Sequence, residues 1–360
     1  MTQKRKVGFP RMDNYNVILK YLTEVGLDCT YVMAPPMTRH TLELGSRYSP
    51  DFVCAPFKYT LGSMLEMLQS PGGVDVLLET GGVCRLGYYG ELQKQILHDL
   101  GYSMDFVNLA DMGKHKLRGY YAAAKALNPD VKIPKALAAL KDGLQAIRWL
   151  DEIEDRVRRD RGFEVQRGSM KQVFDAFLCE LSAARCGQDL RAAYENASAG
   201  LDAVALRKPE RPLRVGIVGE YYTVMDDFGN HNAERILSYM GEGVEIHRWM
   251  SFTHRNLEYD EQADLETILP YVRYSMGPTT SATLAAAIRY ADAGFDGIVH
   301  LKSFGCTPEV DAMAVLQNIS ADRKIPILYL SYDSQTGDAG VQTRLEAFYD
   351  MIDMKRKKLL

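Results

Sequence analysis

The first part of the chain alternates short apolar runs with segments whose apolar residues recur every three or four positions. The runs predict strands, and the longer spacing predicts helices, because these are the repeats that place apolar side chains on one face. We expect strands at residues 6–9, 30–33, 74–78 and 104–109, and another run that ends at Cys54, with helices between them. This alternation predicts a doubly wound parallel sheet.

The pattern changes after Asp111 and changes back at Arg214. Between them the apolar spacing is helical, and the segment RKPERPLR, with its two prolines, predicts a linker. From Arg214 onward strands and helices alternate again. We therefore predict an N-terminal α/β domain at residues 1–112, a helical segment and linker at 113–212, and a C-terminal α/β domain at 213–360. The expected architecture is two doubly wound parallel-sheet domains with the helical segment between them.

Composition narrows the class of protein. A chain of 360 residues with 46% apolar and 25% charged residues is long enough for two domains and typical of a globular protein. The net charge of −4, with no basic stripe before the terminal MKRKK, argues against a nucleic-acid partner. No run approaches the ~18 apolar residues of a membrane helix, and the N-terminus lacks the apolar core of a signal peptide. We expect a cytoplasmic protein whose six cysteines are reduced.

Three of the cysteines are predicted to follow strands. Cys54 and Cys306 each precede a proline by two positions, in CAPFKYTLG and SFGCTPE, and such a proline suits the first turn of a helix. Cys84 follows the apolar run at 74–78 through a glycine loop, ETGGVC. A thiol at a helix N-terminus lies near the positive end of the helix dipole, which favours the metal-binding thiolate. Ligands of open parallel sheets bind outside the carboxyl ends of the strands, so the three thiols are candidates for one shared site.

The spacing of these cysteines leaves several interpretations open. They are far apart in sequence, and no C-x-x-C occurs, so they could equally be unrelated small residues in tight loops. If they share a metal, three thiolates without a fourth ligand suit a [4Fe–4S] cluster with one open iron, or a catalytic zinc. The remaining cysteines, Cys29, Cys179 and Cys186, are interpreted as small buried hydrophobic residues.

Other polar residues accompany the predicted site. Glu79 and Glu220 close apolar strands at the expected ligand-binding edge, and Lys58 lies four residues after Cys54. They are candidates for acid–base catalysis or for hydrogen bonds that tune the site, and helix capping is the alternative for each. His300 lies within an apolar strand and is predicted to be a hydrogen-bonded core histidine.

At these residues the sequence resembles the 2-hydroxyacyl-CoA dehydratase family, which includes 2-hydroxyglutaryl-CoA dehydratase, benzoyl-CoA reductase subunits and activase-associated proteins. Five motifs carry the resemblance in order over most of the chain: CAPFKYTLG, ETGGVCRLGYYGE, VGIVGEYYTVMDDFGNHNAE, HLKSFGCTPE and QTRLEAFYDMI. The resemblance implies that Cys54, Cys84 and Cys306 hold a [4Fe–4S] cluster in a cleft between two α/β domains. The SFGCTPE motif is similar to the activase-associated branch.

The resemblance also implies a reductive, oxygen-sensitive function. An ATP-dependent iron–sulfur activase would supply low-potential electrons, and the protein would reduce or dehydrate a small substrate, with an acyl-CoA as one candidate. That activity is a lyase or an ATP-dependent reductase component. The chain would work as a homodimer or as a heterodimer with a related subunit, and clusters could be linked into a larger one. The alternatives are a non-catalytic electron-relay or accessory subunit, a zinc–thiolate enzyme, and a cluster-free α/β binding protein.

Overall fold

A computed structural model describes residues 4–79, 85–108, 116–277 and 279–358 of the protein. The chain divides into two compact units, one comprising Met1–Leu150 and Ala176–Asn196, the other Asp151–Asp175 and Ala197–Leu360. Each unit contains one four-stranded parallel sheet, which confirms the predicted α/β class. The domain boundaries expected at residues 112 and 212 stay a prediction, because the units are not continuous segments.

The first sheet has the order β2-β1-β3-β4, and all of its neighbouring strands are parallel. Its elements are β1 (Lys6–Gly8), α1 (Asn16–Tyr21), β2 (Thr30–Val32), α2 (Arg39–Tyr48), α3 (Ala55–Gln69), β3 (Val76–Glu79), α4 (Tyr89–Asp99) and β4 (Asp105–Asn108). A π-helical turn, Leu22–Gly26, continues α1. Leu77 packs into a core with α3, whereas Val76 and Leu78 pack into a second core on the other face. Burial on both faces explains the continuous apolar run in β3.

The prediction of a strand that ends at Cys54 is wrong. α2 ends at Tyr48 and α3 begins at Ala55, and the residues between them form a turn in which Phe52 is 94% exposed. The two helices approach each other closely, because a Cβ atom on Gly45 would lie 1.8 Å from the carbonyl oxygen of Lys58. Glycine at such a position lets two helix backbones touch. The chain at this point is therefore a tight helical hairpin.

The second sheet has the order β6-β5-β7-β8 and is also fully parallel. Its strands are β5 (Leu213–Gly219), β6 (Val244–Arg248), β7 (Gly297–Ser303) and β8 (Ile327–Tyr332). Both sheets reverse their strand order between the first and third strands, and ligands of doubly wound sheets bind at such a point. One core of this unit joins Ile298 of β7 to Leu284, Leu316 and Ile319 from the covering helices.

The helical segments follow the predicted spacing. Between β4 and β5 lie α5 (Lys116–Leu127), α6 (Ile133–Asp160), α7 (Ser169–Ala183) and α8 (Gly187–Asp202). After β5 come α9 (Tyr221–Met225), α10 (Ala233–Ser238), α11 (Phe252–Asn256), α12 (Glu261–Ile268), α13 (Thr280–Asp292), α14 (Thr307–Arg323) and α15 (Asp338–Lys357). Within the described ranges, none of the helices combines the length and the apolar character needed to cross a membrane.

Candidate functional site

Cys54 and Cys306 share the same local structure, although Cys54 follows α2 and Cys306 follows β7. Each is the N-cap residue of a long helix, α3 or α14, with an extended backbone and a proline in the first turn. Neither sulfur acts as the cap acceptor of its helix. An exposed phenylalanine, Phe52 or Phe304, lies two residues before each cysteine. The predicted Cys-x-Pro repeat thus corresponds to one local structure that occurs twice.

The side chain of Cys54 contacts the beginning of α4. Its sulfur lies 2.6 Å from the hydroxyl oxygen of Tyr89, and the Tyr89 ring packs edge-on against Phe57 at 4.6 Å between centroids. Tyr89 follows Cys84 by five positions in the sequence, and Cys84 itself lies outside the described residues. The helix that follows Cys84 in the sequence therefore begins against Cys54.

Glu79 lies at the same end of the first sheet. It is the last residue of β3, it is only 6% exposed, and its Oε2 atom has no hydrogen-bond partner among the described residues. A Cβ atom on Gly90 would lie 1.8 Å from that oxygen, so the carboxyl group packs against the first turn of α4. Burial raises the pKa of Glu79 to about 7, and the nearby charge of Glu91 adds to the rise. A carboxyl group with such a pKa can exchange a proton at neutral pH.

The raised pKa of Glu79 predicts a pH-dependent stability. The folded state keeps the proton up to about pH 7, whereas the unfolded state releases it near pH 4.5, so the free energy of unfolding falls as the pH rises between these values. Urea unfolding of the Glu79→Gln variant should lack this fall, which amounts to at most about 3 kcal/mol. The exposed Glu91 offers a control, because Glu91→Gln should keep most of the fall. Equal pH dependence in wild type and Glu79→Gln would contradict the assignment.

Lys58 is half-buried on α3, about one helical turn after Cys54. It therefore lies on the helix whose N-terminus carries the thiol. Its catalytic role stays a prediction.

In the second unit Glu220 follows β5 directly and caps α9. Its carboxylate accepts hydrogen bonds from the backbone N–H groups of Tyr222 and Thr223, at 2.9 and 2.8 Å, and from the Thr223 hydroxyl at 2.6 Å. Burial raises the pKa of Glu220, and these hydrogen bonds oppose the rise. The capping alternative thus describes what this side chain does in the structure.

Three buried side chains form a hydrogen-bonded cluster that includes Glu309, in the first turn of the helix that begins after Cys306. The Nε2 atom of His300 lies 2.8 Å from Glu309 Oε2, and the Thr283 hydroxyl donates to Glu309 Oε1 at 3.2 Å. All three side chains are fully buried. His300 is a core histidine as predicted, but its Nδ1 atom has no partner within the described part of the chain. Glu309 was not predicted from the sequence, although its place three residues after Cys306, in the first turn of a helix, is a usable signal.

Lys302 is a second residue that sequence analysis missed. It is buried on β7, and burial lowers its pKa, while negative charge on Cys306 and Glu309 opposes the change. Its ammonium nitrogen lies 6.0 Å from the centre of the Phe304 ring. A lysine at the end of an apolar strand therefore places positive charge near the Cys306 thiol.

The burial of the other three cysteines differs in part from the prediction. Cys29 is buried, as expected, but Cys179 and Cys186 are exposed, so their interpretation as core residues is wrong. α7 buries Phe177 and Leu181, which are one turn apart, and Cys179 lies between them on another face. Cys186 precedes α8, where its backbone N–H donates to the carboxylate of Asp189.

The donor types fit an iron–sulfur cluster. Cys54 and Cys306 offer thiol sulfurs at the N-termini of helices, where the dipole favours the thiolate. In the ranges that the structure describes, which omit Cys84, no three His, Cys, Asp or Glu side chains form a ligand group. The choice of Cys84 as third ligand is therefore a prediction.

No protein-family model matches the chain, and no curated protein is significantly similar to it. The resemblance to the dehydratase family thus rests on the five sequence motifs.

Proposed function

We propose that this chain is an iron–sulfur protein of the 2-hydroxyacyl-CoA dehydratase and reductase type. Cys54, Cys84 and Cys306 would hold a [4Fe–4S] cluster in a cleft between the two α/β domains. The observation that carries the proposal is the repeated local structure at Cys54 and Cys306, each an N-cap thiol with a proline in the following turn and an exposed phenylalanine before it. A thiol at the N-terminus of a helix is suited to metal binding as the thiolate, and the chain builds such a position twice.

A [4Fe–4S] cluster on three thiolates would supply one-electron chemistry at an open iron. The residues of this chain would prepare its surroundings. The N-termini of α3 and α14 offset the negative charge of the thiolates that they carry. The hydroxyl of Tyr89, 2.6 Å from the Cys54 sulfur, makes the kind of contact that tunes a reduction potential. Phe52 and Phe304 provide apolar surface that would limit the access of water.

Glu79 is the residue best suited to move a proton. Its buried carboxyl group, with a pKa of about 7, can carry a proton on Oε2 at neutral pH and give it to a leaving hydroxyl group. A pure electron relay needs no such proton donor, so Glu79 favours a catalytic protein over the accessory alternative. The reaction would be the reduction or dehydration of a small substrate, with an acyl-CoA as the candidate that the family suggests.

The proposal includes partners. An ATP-dependent iron–sulfur activase would supply the electrons, and the protein would work as a homodimer or with a related subunit. Such partners follow from the family and from the need for low-potential electrons. Linked clusters across two chains are the larger assembly that the family allows.

The cofactor is tested by anaerobic purification and reconstitution of the full chain, followed by iron and acid-labile sulfide analysis. We expect about four irons and about four sulfides per chain, and reduction that requires both activase and ATP. A colourless, iron-free protein after reconstitution would contradict the proposal, and a stoichiometric zinc content would support the zinc–thiolate alternative. Perturbation of the cluster's EPR signal by an acyl-CoA would distinguish an enzyme from an electron relay.

A further inference from the structure

A small pocket lies at the N-terminus of α15, against the end of β8. Its volume is about 250 Å³. Sites that enclose whole drug-sized ligands usually measure about 300–1,000 Å³. This pocket therefore suits a compact chemical group rather than a complete cofactor.

Tyr332 provides a buried hydroxyl at this pocket. Its side chain is 1% exposed, and its hydroxyl oxygen has no hydrogen-bond partner within the described residues. Leu330, Ser331 and Tyr332, the last three residues of β8, all line the pocket. A buried hydroxyl without a partner costs about 1–3 kcal/mol, which an acceptor group on a ligand would recover.

The first turn of α15 forms the opposite wall. Gly337 caps the helix and Gly340 lies within its first turn, and a Cβ atom on either would meet no atom within 4 Å. The backbone N–H groups of Gly340 and Val341 donate to the carbonyl oxygen of Gly337, at 3.2 and 3.4 Å, so the helix offers the pocket the partial positive charge of its N-terminus. The N-terminus of a helix can bind an anion where a second polar group is available, and the Tyr332 hydroxyl is that group here.

Arg344, one turn further along α15, also lines the pocket. Burial raises the pKa of Tyr332, and the positive charge of Arg344 opposes that rise. Arginine is the side chain that best matches the geometry of phosphate and carboxylate groups. The pocket thus offers a guanidinium charge, a hydroxyl donor and the positive end of a helix dipole.

Two carboxylates lie near the pocket, and both have other partners. Asp338 bonds to His231 Nδ1, and its side chain is 91% exposed. Asp333 accepts hydrogen bonds from the backbone N–H of Gln335 at 2.8 Å and from the Thr336 hydroxyl at 3.0 Å. Because Thr336 donates to Asp333, we do not count its hydroxyl as a ligand donor.

We infer that this pocket binds an oxyanion, either phosphate or the phosphoryl group of a small molecule. Tyr332 would donate its O–H, Arg344 would supply the charge, and the N-terminus of α15 would add its partial positive charge. The backbone N–H of Phe304 donates to the carbonyl oxygen of Tyr332 at 2.8 Å, so the bound anion would lie on the strand next to the one that leads to Cys306. The inference does not depend on the iron–sulfur cluster.

The test is equilibrium dialysis of the full chain with radiolabelled inorganic phosphate at constant ionic strength. We expect one saturable site per chain. Arg344→Gln should weaken binding about tenfold or more, because a charge-assisted hydrogen bond is lost, and Tyr332→Phe should weaken it severalfold. Gly340→Val should block the site by filling the open space above the helix turn.

Lys358→Gln is the matched control, because it removes the same charge at the opposite end of α15 and should leave phosphate binding unchanged. Circular dichroism of each variant separates loss of binding from loss of fold. Displacement of phosphate by glycerol phosphate would identify a phosphoryl group as the ligand, and its failure would identify free phosphate. No saturable binding at millimolar phosphate, or equal binding by wild type and Arg344→Gln, would overturn the inference.

Discussion

Replacing Cys306 with alanine is expected to abolish iron and sulfide binding while leaving the fold intact. The substitution keeps the Cβ atom and removes a sulfur that does not cap α14, so the helix loses little. A cluster held by only three thiolates has no ligand to spare. We expect anaerobically reconstituted Cys306→Ala to contain less than about a tenth of the wild-type iron, with an unchanged far-ultraviolet circular dichroism spectrum. Cys54→Ala and Cys84→Ala should behave in the same way.

Cys179 provides the control for this prediction. It is exposed on α7, it is a cysteine like the proposed ligands, and its replacement by alanine should leave the iron content unchanged. Full iron content in Cys306→Ala would show that Cys306 is not a ligand. Loss of iron in Cys179→Ala alone would point to a different set of ligands.

The sequence pattern predicted the sheets better than it predicted the surroundings of the site. Continuous apolar runs identify β3 and β7, because such runs are what burial on both faces requires. The apolar residues before Cys54 mimic a strand, but Gly45 and Gly62, each facing a backbone carbonyl of the other helix, show that two helices touch there. Gly45 and Gly62 were therefore the signal in the sequence that two helices, and not a strand, lie here.

The chemistry around Cys306 depends on contacts that one-dimensional periodicity does not contain. An apolar run around His300 predicts burial, and burial is what the structure shows. Its partner, Glu309, is brought to it by the packing of α14 against β7, as is the Thr283 hydroxyl from α13. The same holds for Tyr332 and Arg344, whose common pocket exists only because α15 begins over the end of β8.

The second large effect is expected at Glu234, which lies in a buried network of four charges. Its carboxylate oxygens lie 2.9 Å from Arg158 Nε and 3.5 Å from an Arg248 nitrogen, and Arg248 also contacts Glu154 at 3.1 Å. Burial raises the pKa of Glu234, but the charges of Arg158 and Arg248 outweigh it and hold the pKa below its usual value. The network therefore joins α6 to α10 and β6 within the unit that carries Cys306.

We expect Glu234→Ala to lower the free energy of unfolding by about 3–5 kcal/mol, because it removes one of the two buried carboxylates that balance two buried guanidinium groups and leaves an uncompensated charge. The two tryptophans make the measurement specific, since Trp149 lies in one unit and Trp249 in the other. In a Trp149→Phe background, urea unfolding followed by the fluorescence of Trp249 reports the unit that contains the network.

Asp353→Ala is the control for Glu234→Ala, because it removes a carboxylate from an exposed ion pair. Asp353 forms an ion pair with Lys357, whose side chain is 72% exposed, and exposed pairs contribute about 0–1 kcal/mol.

Because the pKa of Glu234 is lowered in the folded state, its contribution is complete above the pKa of the unfolded chain and is lost as the pH falls through the folded value. The difference in stability between wild type and Glu234→Ala should therefore shrink in acid. A difference that is small at neutral pH, or that grows as the pH is lowered, would mean that the four charges do not stabilise this unit as a network.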